Sequence, residues 1–127
     1  MKRALTVRIR GDVYTIPLER IIFFENEGRR IRMHTLDGEH RFYGTFLSLT
    51  PQLDERFLCC TRSYILNMDH IHAMRSHSRC EIIMSSGARI ALSKAVFLRT
   101  KREFDRWLSQ RQGPATDRTT VFNEEVR

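Results

Sequence analysis

Cationic side chains lie at loop or strand-edge positions at three separate places in the chain, and small hydroxyl residues stand beside the cation at two of them. The three groups are Gly28-Arg29-Arg30, Thr61-Arg62-Ser63 and Ser93-Lys94. A guanidinium presents five donors in a planar array that suits phosphate or guanine, and hydroxyls suit the phosphate contacts that position such a group against base edges. No pattern of paired exposed aromatic residues, as used to stack RNA bases, accompanies these cations. The residues therefore favour contact of several loops with duplex DNA over RNA.

Arg62 lies in the stretch 57–67, where a polar step at residues 61–63 interrupts an apolar, strand-forming run. The residues before the step are Phe57 and Leu58, and those after it begin with Tyr64 and Ile65. Bulky β-forming residues on both sides fix the backbone by packing, so the guanidinium is presented from a rigid support. The alternative is that Arg62 is a solvated turn arginine.

The charge balance is strongly basic. The 127 residues contain 22 Lys and Arg against 15 Asp and Glu, a net charge of +7, and the sequence pI is about 10. Residues 1–112 carry 20 − 12 = +8, so the basic charge belongs to the part expected to fold. A compact basic domain is typical of a polyanion binder, although ribosomal proteins, binders of anionic membranes and plain basic domains share this composition. With no apolar run of about 18 residues and no signal-peptide core, we expect a cytoplasmic protein.

Metal and catalytic sites are disfavoured by spacing. The candidate ligands Cys59, Cys60, His70, His72, His77 and Cys80 lie within 22 positions. They include no Cys-x-x-Cys pair of the kind that holds structural zinc, so we predict no metal and no cofactor. Neither a phosphate-binding glycine loop nor a hydrolase or zinc-protease motif is present. A Cys60–His dyad is formally open, but a cysteine in an apolar strand is usually core, so we predict neither catalysis nor a small-molecule substrate.

The three cysteines are expected to be reduced thiols rather than a disulfide framework. Cys59 and Cys60 are adjacent, so on a strand they point to opposite faces and at most one meets solvent. Both adjoin the Arg62 step. We therefore treat them as redox-sensitive candidates, through which mild oxidation would disturb binding.

Alternating apolar residues and turn signals predict a mainly β domain of about ten short strands. The expected strands lie in 5–16 (a hairpin turning at Gly11-Asp12), 21–25, 29–35, 40–44, 56–60, 64–66, 71–74, 79–84 and 89–92. In 29–35, alternation gives one basic face with Arg30, Arg32 and His34. Thr45 and Pro51 predict that residues 46–53 form either one irregular helix or a turn followed by a short helix. Ser93 caps a terminal helix over 94–110 with a stripe that includes Leu98 and Trp107. We expect one domain, 1–112, and a disordered tail, 113–127.

Five segments together resemble the LytTR-type DNA-binding domain in order and spacing, over about residues 5–108. They are Ile21-Ile22-Phe23-Phe24-Glu25, Arg41-Phe42-Tyr43-Gly44-Thr45-Phe46, Leu53-Asp54-Glu55-Arg56-Phe57, Arg62-Ser63-Tyr64-Ile65-Leu66-Asn67 with Ile71 after it, and Ile90-Ala91-Leu92-Ser93-Lys94. The resemblance is most specific at its centre, Phe-x-x-x-x-Arg-Ser-Tyr-Ile-x-Asn.

The resemblance implies an elongated fold of stacked antiparallel β-sheets whose loops enter successive major grooves. By position it assigns base contacts to Arg30, Arg62 and Lys94. Arg29, Thr61, Ser63 and Ser93 are then the DNA backbone contacts. It also implies two copies, as a homodimer on a direct repeat, and a regulatory role in transcription.

Two positions depart from the family pattern, which often has His at Thr61 and commonly Arg at Lys94. A lysine is a point charge and makes no bidentate guanine contact, so readout there differs. Family members usually follow a sensory domain. The chain is therefore either a stand-alone bacterial-type regulator, controlled by a partner protein such as a membrane-bound antagonist, or a fragment of a longer chain. The prediction is a sequence-specific transcription regulator that binds double-stranded DNA; the alternative is a basic protein-interaction module.

Overall fold

The continuous apolar run at residues 21–24 forms a strand buried on both faces. All four residues are buried, and they divide between two cores: Ile21 and Phe24 pack on one side, Ile22 and Phe23 on the other. Strict alternation would separate Ile22 from Phe23, but the pairing register shifts between Ile21 and Phe23. Such a bulge turns two successive side chains to one face. This strand therefore lies in a sheet that is covered by a hydrophobic core on each face.

The computed structural model describes residues 3–112, with side chains to Arg111. Its strands are β1 (Ala4–Ile9), β2 (Asp12–Pro17), β3 (Ile21–Glu27), β4 (Arg30–Thr35), β5 (Gly38–Tyr43), β6 (Phe57–Cys59), β7 (Tyr64–Asn67), β8 (Ile71–Arg75), β9 (Glu81–Met84) and β10 (Arg89–Ala91). Its α-helices are α1 (Phe46–Leu49) and α2 (Lys94–Gln112), with 3₁₀ turns at Leu18–Arg20, Thr50–Gln52 and Met68–His70. The predicted tail, 113–127, lies outside the described residues.

The strands form three antiparallel sheets. The central sheet has the order β5-β4-β3-β7-β6, flanked by the β1–β2 hairpin and by a three-stranded sheet of order β10-β9-β8. One core joins the hairpin and α1 to the central sheet around Phe24 and Ile65, and the second joins the three-stranded sheet around Phe23 and Leu66. The prediction of a mainly β fold of stacked antiparallel sheets is confirmed.

Asn67, the last residue of the motif Phe-x-x-x-x-Arg-Ser-Tyr-Ile-x-Asn, has a structural role. Its side chain is fully buried, and its Nδ2 donates to the backbone carbonyls of Ile21 (2.8 Å) and Leu18 (3.3 Å). Its Oδ1 accepts from the N–H of Asp69 at 2.9 Å. A buried amide is stable only when its donors and acceptors are satisfied, as they are here. Asn67 thus fastens β7 to the start of β3.

Several local predictions are corrected. The first hairpin turns at Arg10-Gly11 rather than Gly11-Asp12, since Asp12 pairs with Ile9. The buried face of α2 is Phe97, Thr100, Phe104 and Trp107, whose spacing of three and four residues defines one helix face. Leu98 is 44% exposed, so its place in the predicted stripe was wrong. The cap is confirmed: Ser93 Oγ accepts from the N–H of Val96.

The segment 46–53 is one irregular helix, as one of the two predicted forms had it. Thr45 Oγ1 accepts from the N–H of Ser48 at 3.1 Å and begins α1. The helix then tightens into the 3₁₀ turn that contains Pro51. The proline lies near the start of that turn, where its missing N–H costs little.

Candidate nucleic-acid interface

The turn that carries Arg29 and Arg30 meets the loop that carries Arg62. The turn joins β3 to β4, the loop joins β6 to β7, and β3 pairs antiparallel with β7 up to Glu25 and Tyr64. Neighbouring antiparallel strands bring the end of one beside the start of the other. The central sheet therefore places these two cationic segments at one end.

Asn26 connects the two segments. Its backbone N–H donates to the carbonyl of Ser63 at 2.9 Å, and its Nδ2 donates to the carbonyl of Arg62 at 3.2 Å. Its Oδ1 accepts from the N–H of Gly28 at 3.0 Å. One side chain thus fixes the β3–β4 turn and the Arg62 backbone together. Sequence reasoning treated Asn26 only as a turn residue, because its partner loop is 36 residues away.

The Arg62 loop is closed by its own polar groups. Thr61 Oγ1 accepts from the N–H of Ser63 at 3.0 Å, and the N–H of Cys60 donates to the carbonyl of Tyr64 at 3.2 Å. The Arg62 side chain is exposed beyond this closed loop. The Thr61 hydroxyl therefore holds the loop with its oxygen and keeps its O–H for another acceptor.

The beginning of α2 lies against the same loop. Arg99 Nη2 donates to the carbonyl of Cys60 at 3.3 Å, and Cys60 belongs to the core that contains Ile90. Lys94, the first residue of α2, is exposed. The Arg99 hydrogen bond attaches α2 to the β6–β7 loop at a position five residues after Lys94.

The exposed cations at these positions form no ion pair with a carboxylate in the described part of the chain, although Arg30 acts on Glu27 at longer range across the sheet. No ion pair or side-chain hydrogen bond joins Arg29, Arg30, Arg62 or Lys94 to any acidic residue among residues 3–111. Their charge is left for an external anion. No ion pair with an Asp or Glu side chain offsets the charge of these four residues in the described part of the chain.

The rest of the predicted basic face of β4 is neutralised, which corrects the expectation from alternation. Arg32 pairs with Glu27 at 2.5 Å and with Glu25 at 3.7 Å, and His34 lies 3.1 Å from Glu25. Arg41 of β5 also binds Glu27, at 3.0 Å. Partial removal from water acts to raise the pKa of Glu27, but the Arg41 hydrogen bond and the charges of Arg32, Arg41 and Arg30 lower it overall. The glutamate is therefore ionised at neutral pH.

The two adjacent cysteines face opposite sides, as predicted. Cys59 is exposed, whereas Cys60 is 3% exposed and packs in the second core. Burial, and then the neighbouring Cys59, raises the pKa of Cys60 to about 11, and burial also raises the pKa of Cys59. Thiolates are the reactive form, so both thiols are mostly unreactive at neutral pH and only Cys59 is accessible. Redox sensitivity stays a prediction, now confined in practice to Cys59.

The candidate metal ligands do not converge. Among residues 3–111 there is no group of three or more His, Cys, Asp and Glu side chains placed to hold an ion. His70 instead contacts Ser85 Oγ and the carbonyl of Glu19, each at 2.7 Å. In the same part of the chain, no helix is long and apolar enough to cross a membrane.

Comparison with known proteins identifies the family. No curated protein matches the chain significantly. Among solved structures, the chain is similar to the LytTr DNA-binding domain of a putative methyl-accepting/DNA response regulator from Bacillus cereus, with 19% sequence identity and a TM-score of 0.66. The alignment covers 81% of this chain and 97% of that one, and shows that the fold is shared. A sequence model of the LytTr DNA-binding domain matches residues 11–107, so the chain belongs to the LytTr DNA-binding domain family.

Proposed function

We propose that this protein is a sequence-specific transcription regulator whose loops read the major groove of duplex DNA. The observation that carries the proposal is the set of exposed cations without ion pairs on the β3–β4 turn and on the β6–β7 loop, which adjoin through Asn26. Lys94, exposed at the start of α2, is assigned as the third. Membership of a DNA-binding family supports the choice of partner. In this assignment the molecule acts in the cytoplasm, by binding rather than by catalysis.

The base-contacting side chains have two kinds of readout. Arg30 and Arg62 donate in bidentate fashion to O6 and N7 of guanine, which is the commonest specific contact in the major groove. Lys94 supplies a single charged donor, so its position discriminates less sharply. The fixed backbone around Arg62, held by Asn26 and Thr61, reduces the ordering cost of such a contact.

Phosphate contacts hold the loops in register on the duplex. Arg29 supplies charge beside Arg30, and the hydroxyls of Thr61, Ser63 and Ser93 donate to phosphate oxygens. Thr61 and Ser93 already accept backbone N–H groups within the fold, but each hydroxyl hydrogen remains to donate. The family likeness further suggests two copies on a direct repeat and control by a partner protein.

The decisive experiment is selection of bound fragments from a genomic library, followed by titration of the selected duplex and a scrambled duplex across a salt series. A sequence-specific binder should prefer the selected duplex, and its affinity should fall with a slope of about −0.9 per neutralised phosphate in a plot of log K against log salt. Selection of no common sequence, together with a flat salt dependence, would reject the proposal in favour of a basic protein-interaction module.

A further inference from the structure

A groove of about 650 Å³ lies between the tip of the β1–β2 hairpin and the edge strand β5. Its lining residues are Arg8, Ile9, Arg10, Asp12, Tyr14, Arg30, His40, Arg41, Phe42 and Tyr43. Four of them are arginines and one is acidic, which gives a lining charge of 4 − 1 = +3 with His40 neutral. The groove is therefore strongly cationic.

Three of the four arginines keep their charge available. Arg8, Arg10 and Arg30 are exposed and form no ion pair within residues 3–111, whereas Arg41 pairs with Glu27 and Glu39. Tyr14 is 46% exposed and Tyr43 is 80% exposed. Phenol hydroxyls and guanidinium groups are the donors that proteins use for phosphate oxygens.

Arg10 occupies a backbone position that arginine rarely takes. Its φ is +54° and that of Gly11 is +86°, as in the type I′ turns that close two-residue hairpins. Asn-Gly, Asp-Gly and Gly-Gly are the pairs that favour this turn, because a larger side chain is strained at positive φ. The chain carries a long cationic side chain there in spite of that cost. Strained positions are concentrated where a side chain serves a binding site.

The groove is continuous with the proposed DNA interface. Arg30 lines the groove and is also one of the three base-contacting candidates, and it pairs across the sheet with Tyr43. The N–H of Gly44 donates to the carbonyl of Arg29 at 3.0 Å, which ties the end of β5 to the β3–β4 turn. Arg8 and Arg10 precede the family match, which begins at residue 11. The hairpin tip thus adds cations at the same end of the central sheet.

We infer that this groove binds a segment of the DNA sugar–phosphate backbone next to the base-contacting loops, with Arg8 and Arg10 neutralising its phosphates. The volume accommodates a backbone segment rather than a single ion, and the shared Arg30 links the phosphate contact to the base contact. This inference rests on the proposed function, and it extends the footprint of the protein along the duplex.

The test compares Arg8→Gln/Arg10→Gln with a control of equal charge change, Arg102→Gln/Arg106→Gln. The control arginines are exposed on α2, about 12 and 18 Å along the helix from Lys94 at 1.5 Å per residue. Both variants and the wild type are titrated with the selected and the scrambled duplex across a salt series. The groove variant should lose affinity about five- to tenfold for each lost contact near 0.1 M salt, equally on both duplexes, and its salt slope should fall by about 0.9 per contact.

Ethylation interference locates the contact. Ethylation of one or two particular backbone phosphates should weaken binding by the wild type and by the control variant. Ethylation of the same phosphates should not weaken binding by the groove variant. If the groove and control variants have the same salt slope and the same interference pattern, the inference is wrong even when the selected duplex is preferred. Thermal stabilisation of the wild type, but not of the groove variant, by inorganic phosphate together with that result would assign the groove to a small anion instead. Loss of preference for the selected duplex in the wild type would be a failure of the proposed function itself.

Discussion

Two arginine-bearing surfaces lie on the same central sheet and differ in whether the arginines form ion pairs with glutamates. In the first, Arg32 and Arg41 lie among Glu25, Glu27 and Glu39, so their charge is spent within the protein. In the second, Arg29, Arg30 and Arg62 stand at the strand ends without carboxylate partners in the described chain. Strand register alone does not make the difference, because Arg30 lies directly opposite Glu27. The Glu27 carboxylate binds Arg32 and Arg41 instead, so the choice of ion-pair partner decides which arginines are neutralised. A basic sequence therefore does not locate its own binding surface.

The contrast predicts its largest effect at Arg62. Arg62→Ala should remove about 1–3 kcal/mol of discrimination at one base pair of the selected site, while affinity for the other single-base variants keeps its ranking. The measurement is a titration of every single-base variant of the selected duplex. Arg102→Ala, which removes an exposed arginine from α2, should leave the ranking and the discrimination unchanged. A uniform loss on all duplexes would make Arg62 a phosphate contact.

For the stability of the fold, the ion-paired arginines should matter more than the arginines without ion pairs. Arg32→Gln removes a cation that lies within 4 Å of Glu25, Glu27 and Glu39, and it should lower the free energy of unfolding by about 1–2 kcal/mol. Arg29→Gln, which breaks no ion pair, should change it by less than about 0.5 kcal/mol. Urea unfolding with an unchanged m-value would measure both. Equal losses would mean that the two surfaces do not differ in the way their ion pairs indicate.

Local sequence patterns accounted for most strands and hairpins, since alternation and turn residues are local signals. They could not supply the pairing of β3 with β7, on which Asn26 and Asn67 depend, because those contacts span about forty residues. The neutralised face of β4 was missed for the same reason: Glu25 lies opposite Arg32, and Glu27 diagonal to it, only once the register is known. The turn at Arg10 was placed one residue late because arginine is an unusual residue at positive φ. The three cationic segments stand out in the sequence because each is marked locally by a turn or a cap.

Replacing Arg10, which forms no ion pair in the described chain, should increase stability and decrease binding. Arg10→Asn creates Asn-Gly, the favoured pair for this turn, and should raise the free energy of unfolding by about 0.5–1 kcal/mol. It should also weaken duplex binding, since the side chain lining the groove is lost. Thermal unfolding and a salt-dependent titration measure the two effects. A stabilised variant with undiminished affinity would remove Arg10 from the binding surface.

The smallest expected effect comes from turning the neutralised surface into an available one. Glu27→Gln removes the nearer of the two carboxylates that Arg32 and Arg41 share, and it should raise affinity for selected and scrambled duplexes alike, by about twofold at physiological salt. Glu103→Gln, which removes the partner of Arg106 on α2, is the control with the same charge change and should have no such effect. Because discrimination comes from the base-contacting loops, the preference for the selected duplex should stay the same in both variants.

The pH dependence of stability tests whether the Glu27 carboxylate stabilises the fold through its charge. The folded-state pKa of Glu27 lies below its ordinary value of 4.5, so its contribution to stability is present above pH 4.5 and is lost as the pH falls through the folded value. The difference in unfolding free energy between wild type and Glu27→Gln should therefore shrink on acidification below pH 4.5. A difference that stays constant down to the folded pKa would show that Glu27 contributes through packing rather than charge, and the higher affinity of the variant would then need another cause.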